Sequence, residues 1–141
     1  MNKKHILTAI GIFLATSIYG GTLNFCLQGN RPSIGWSIFL GFMVGMVSML
    51  SYFLHILCCG IRVADDRNLD LVDRGCIKLM NLMTPVLIFC GISYFITEIF
   101  KLVILQSYAW IYLVNFLIAI VITVIANYDA KSIRNRKRRK Y

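Results

Sequence analysis

The chain has 141 residues, 58% of them hydrophobic, with a mean hydropathy of +0.71 and a formal net charge of +9 at pH 7. Only 15% of the residues are charged, too few to coat that much apolar surface as the polar faces of soluble helices do. Composition therefore excludes a soluble globular domain, and five scattered cysteines exclude a disulfide-built scaffold.

A helix that crosses the hydrocarbon core needs about 20 apolar residues. The first run of this kind is 6–27. It follows MNKKH and so resembles a secretory leader. The apolar stretch runs on to Leu27, however, and no small-x-small cleavage site closes a short apolar core. It is read as a retained first span, with Asn24 near its far end.

The second run, 34–59, is long enough to tilt or to project beyond the bilayer. Within it, SIFLGFMVG sets Ser37, Gly41 and Gly45 at four-residue spacing on one helix face. Small residues placed in this way let another backbone approach closely. Two uses compete for that face. One is packing inside the chain against span one, where Gly11 and Ala15 supply a small face. The other is a seam between copies in a homo-oligomer. His55 lies four residues from the inner end of this span.

The loop 60–78 balances Asp65, Asp66, Asp70 and Asp73 against Arg62, Arg67, Arg74 and Lys78. Its acids lack the spacing of a calcium loop. Asp70 and Asp73 look like helix-start residues, so span three is expected to begin near Leu71 and span two to continue to about Ala64. The loop is then a helical hairpin tip, either a docking surface or a solvated turn.

The third run, 79–99, holds Pro85 after Thr84 and ends at Glu98, with Lys101 three residues on. That spacing allows an interfacial i,i+3 ion pair. The fourth run, 109–127, opens at Trp110 as the second opens at Trp36, where amphipathic rings settle at a membrane interface. Asn115 lies roughly 9 Å into it at 1.5 Å per residue. Asn24, Glu98 and Asn115 thus fall at similar depths. With Lys101 and the deeper His55 they form the expected polar site, either glue between helices or the wall of a water-filled vestibule.

Residues 128–141 form a basic tail carrying Lys131, Arg134, Arg136, Lys137, Arg138, Arg139 and Lys140. Thirteen of the 15 Lys and Arg lie at the N-terminus, in loop 60–78 or in this tail; Arg31 and Lys101 are the other two. Cationic loops stay on the cytoplasmic side, so both termini are expected there, in a bacterial inner membrane. The fold class is an all-α, integral-membrane four-helix bundle, N-in and C-in. The tail is expected to contact anionic lipid or a cytosolic protein; nucleic acid is the third polyanion it suits, although the run lacks interleaved aromatics for base stacking.

His55, Cys58, Cys59 and Cys76 gather at the inner face without a CxxC spacing, so no metal site is expected. No cofactor is expected either. GxSxG, Walker-type and HExxH patterns are absent, and the chain reads as a non-enzyme.

Four spans, cytoplasmic termini and a basic tail make a layout that resembles four-span subunits of bacterial accessory systems. These include bacteriocin immunity proteins, plasmid entry-exclusion proteins and the membrane subunit of Kiwa-type anti-phage defence. The resemblance implies a sensor or anchor that oligomerises and recruits a cytosolic partner through loop 60–78 and the tail. A small transporter or channel using Asn24, His55, Glu98 and Asn115 is the reading from a different class, and an immunity or exclusion protein acting inside the bilayer is the third.

Overall fold

The structure is a computed structural model, all-helical over its described residues, which are 2–27, 33–62, 70–97 and 109–139. Helix α1 spans Lys3–Leu27, α2 Ile34–Ile56, α3 Asp70–Thr97 and α4 Ala109–Arg139. All four are long and apolar enough to cross a membrane. Glu98, Lys101, Lys140 and Asp65 to Arg67 lie outside the described residues, as do the side chains of Arg62, Asp70, Asp73 and Arg138.

The helices run past the apolar stretches that mark them. Helix α1 takes in Lys3 and Lys4, and α3 starts at Asp70. Lysine and arginine are good helix formers, so a charged flank ends the hydrophobic run without ending the helix. Helix α4 shows this most clearly. Its 31 residues make a rod of about 46 Å at 1.5 Å per residue, against a hydrocarbon core of about 30 Å. The basic stretch up to Arg139 is therefore a continuation of the last span. Pro85 is accommodated inside α3.

Helix α2 does not stop at Ile56. It widens into a π-helical turn, Leu57–Arg62. The wider turn carries Cys58, Cys59 and Gly60 toward α4, and a Cβ on Gly60 would lie 3.2 Å from the Ala130 carbonyl oxygen. Ser33 caps the other end of α2, its hydroxyl accepting from the Trp36 amide at 3.4 Å.

Helix α2 is the hub of the bundle. It packs on α1, α3 and α4, and α4 also packs on α3. Helices α1 and α4 share no extended seam. Within each spanning window only 17–39% of the residues are buried, so the outward faces carry Leu7, Leu14, Ile18, Ile38, Leu82, Leu113 and Val124. An apolar exterior of this kind suits lipid rather than water. Trp36, stacked on Phe39, and Trp110 are both about half exposed.

The α1–α2 seam explains the small residues of α2. Ser37, Gly41 and Gly45 are all buried. A Cβ on Gly41 would stand 2.6 Å from the Ser17 carbonyl oxygen, 2.8 Å from the Gly21 nitrogen and 2.9 Å from its Cα. On Gly45 it would collide with the Ser17 hydroxyl and lie 2.9 Å from the Phe13 carbonyl oxygen. The face is covered by α1 of the same chain. The matching side of α1 is Phe13, Ser17 and Gly21, in place of the expected Gly11 and Ala15, which lie on a different side of the helix. A Cβ on Gly11 meets nothing within 4 Å.

Candidate functional site

The interior polar groups fall into separate sets. The first lies at the end that holds both termini. Tyr52, fully buried on α2, donates from its hydroxyl to Asp129 Oδ2 on α4 at 2.5 Å. His5, buried in the first turns of α1, sets Nδ1 3.7 Å from the same oxygen. That distance exceeds a hydrogen bond, and the buried Nδ1 has no hydrogen-bond partner. The Thr8 hydroxyl also faces the Tyr52 phenol. Three helices thus meet on one carboxyl group that is 4% exposed.

Asp129 is buried because the inward face of α4 continues beyond the apolar run. Ala119, Ile122, Ala126, Asp129, Ala130 and Ile133 recur at three- and four-residue spacing, and Ile133 packs on the core. The π-turn brings Gly60 against Ala130, which closes the same end.

His55 and Thr84 form a second set, with His55 Nδ1 2.8 Å from Thr84 Oγ1. Both are buried. Asn127 of α4 neighbours the imidazole, while ring Nε2 makes no hydrogen bond. Beside them a cavity of about 290 Å³ lies between α3 and α4, lined by Asn81, Pro85, Thr123 and Asn127 among others. Because proline lacks an amide hydrogen, the Asn81 carbonyl loses its helical donor at position 85.

The third set is a hydrogen-bonded chain across three helices. Tyr19 of α1 donates to Asn115 Oδ1 of α4 at 2.7 Å, and Asn115 Nδ2 donates to Ser93 Oγ of α3 at 3.2 Å. Asn24 lies further along α1, fully buried, with Nδ2 donating to its own helix at the Gly20 carbonyl, 2.8 Å away.

Of the residues expected to build a polar site, Asn24, Asn115 and His55 are indeed interior. The structure does not join them into one cluster. Each has its own partners at its own depth, and Glu98 and Lys101 lie outside the described residues. Tyr19, Tyr52, Ser93, Thr84, His5 and Asp129 were not singled out by the sequence reading. Interior amides and hydroxyls bonded pairwise across helices are the usual glue of membrane bundles, worth about 0.6–2 kcal/mol each. Asn115→Ala should leave the Tyr19 hydroxyl without its acceptor, remove the bond to Ser93 and destabilise the bundle by about 1–3 kcal/mol, measured by unfolding in mixed micelles.

All five cysteines are free, and no group of three His, Cys, Asp or Glu poised to hold a metal ion occurs among the described residues.

On the outside, Tyr128, Lys131, Ser132, Asn135, Arg136 and Arg139 line a shallow depression of about 350 Å³ along one face of α4. Lys131, Arg136 and Arg139 are exposed there, and Arg134 is half-buried near Cys59. A separate apolar groove of about 610 Å³ runs between α1 and α4.

The chain matches no protein-family model, no curated protein and no solved structure.

Proposed function

We propose that the protein is a non-enzymatic membrane anchor or sensor subunit that presents the basic end of α4 to a cytosolic protein partner. The observation that carries this reading is the continuity of α4 from Ala109 to Arg139, tied to the bundle at Asp129. Helix propensity accounts for the helix, but setting topology does not require the basic segment to be anchored to the core, as it is at Asp129. A rigid helix presents Arg136 and Arg139 in a constant relation to the spans, so a change among the spans would reach the partner. The charge split supports cytoplasmic termini. Loop 60–78 emerges at the same end, as the contact of Gly60 with Ala130 requires, and is proposed as the second element of the docking surface. Homo-oligomerisation is part of the proposal. With Ser37, Gly41 and Gly45 covered by α1, its seam belongs on an outward face. The resemblance in layout supports a setting in a bacterial accessory system, anti-phage defence among them.

The test exploits the difference between guanidinium and ammonium. Arg forks pair carboxylates in fixed geometry, whereas lysine is a point charge. Arg134, Arg136, Arg138 and Arg139 changed together to Lys keep the charge. The spans should insert normally and recovery of cytosolic protein on the detergent-solubilised chain should fall severalfold. Undiminished recovery, or proteolysis of the tail from the outer side of intact cells, overturns the proposal.

A further inference from the structure

The α1–α4 groove is a lateral opening in the bundle wall. Its floor is buried Ile12, Thr16 and Ile122. One wall is the small, exposed side of α1, Gly11 and Ala15, and the other is exposed Leu117 and Val121. Hydrogen bonding ties α1 to α4 at one end, through Tyr19 and Asn115, and the His5–Asp129 pair ties them at the other. Between these ties the helices stay apart. The groove runs from Thr8 to Tyr19 along α1, about 16 Å at 1.5 Å per residue.

Both walls end in cations at the same end of the bundle. On α1, Lys4 precedes Thr8 and Gly11 on the same helix side and is exposed. On α4, the groove residues Val121 and Ile125 lead directly into Tyr128, Lys131 and Ser132 of the basic face. A slot that is apolar along its length and positive at one mouth matches one kind of molecule in a bilayer. We infer that the groove between α1 and α4 binds an anionic phospholipid, with one acyl chain along Gly11, Ala15, Leu117 and Val121 and the phosphate between Lys4 and Lys131. The hydroxyls of Ser132 and Tyr128 are placed to donate to phosphate oxygens. The site lies one to two turns nearer the membrane than the arginines proposed to meet a protein partner, and it does not depend on that proposal.

The full-length chain in nanodiscs containing equal phosphatidylglycerol and phosphatidylcholine provides the test. Native mass spectrometry after release into mild detergent counts the lipid retained. The native chain should retain phosphatidylglycerol over phosphatidylcholine by roughly 25-fold, since each lysine near a membrane surface contributes about a factor of five. Lys4→Gln/Lys131→Gln should abolish that preference while still retaining lipid. Gly11→Leu/Ala15→Leu fills the groove, and the open space over Gly11 lets the bundle fold around it. It should retain several times less of either lipid. Val121→Trp narrows the slot from the opposite wall and should do the same, independently of how the first variant folds. The inference fails if native protein retains both lipids equally, or if both groove-filling variants retain native amounts of phosphatidylglycerol. It also fails if filling the groove changes the number of copies in the particle, which would make a second chain the occupant.

Discussion

Gly41→Ala is expected to destabilise the bundle strongly for a change of a single methyl group. The new methyl group meets the Ser17 carbonyl oxygen at 2.6 Å and the Gly21 nitrogen at 2.8 Å. Both are backbone atoms of α1, and neither can rotate aside as a side-chain end can. The seam must open along its length, with loss of the contacts above and below. Overpacking of this kind costs about 1–3 kcal/mol for an added methyl group and more for a larger one. Gly41→Leu should therefore prevent stable association of α1 with α2. Gly11→Ala is the matched control, because its methyl enters open space. It should fall within about 0.5 kcal/mol of the native chain or gain slightly from helix propensity. The measurement is the midpoint of thermal or denaturant unfolding in micelles. Equal midpoints for the two alanine variants would show that the α1–α2 seam is looser than the structure has it.

The second large effect is expected at Asp129. Asp129→Ala removes the acceptor of the Tyr52 hydroxyl and the counter-group of His5 in one step. A buried donor left without a partner costs about 1–3 kcal/mol, and the first turns of α1 lose their tie to α4. Tyr52→Phe removes the donor and leaves the carboxyl with His5 alone. The double variant Tyr52→Phe/Asp129→Ala should be no more than slightly worse than Asp129→Ala, giving a coupling energy of about 1–3 kcal/mol. Strictly additive effects would deny the bond. Proteolysis should report the same event locally, with cleavage after Lys3 and Lys4 accelerated in Asp129→Ala and unchanged in Asn115→Ala.

The four spans were legible because lipid demands length and apolarity, and the sequence meets both with uninterrupted runs. Their ends were less legible. Hydropathy falls at Lys131, but the helix does not, since charged residues favour helix as well as water. That is why composition alone groups Asp129 with the basic tail, 128–141, and not with the span. Its signal was the spacing Ile122, Ala126, Asp129, Ile133, an inward face that continues past the point where composition turns polar. Its partner Tyr52 stands 77 positions away, and nothing in a single sequence pairs residues at that distance. The small face of α2 was legible for a similar local reason. Its docking side on α1 was not, because Gly11 and Ala15 compete with Ser17 and Gly21 for that role, and only the rotation of α1 about its axis decides between them.

The closure at Asp129 also bears on how the chain is made. Helices of a polytopic chain enter the bilayer one by one and then associate. The glycine seam joins neighbours in sequence, so α1 and α2 can pair as soon as both are present. His5 and Asp129 cannot meet until the last helix has arrived. The start of α1 therefore gains its contact with Asp129 only after α4 has joined the bundle. A product that stops short of Asp129 has that end of the bundle open, and a protease that surveys membrane proteins has there a mark of incompleteness to read.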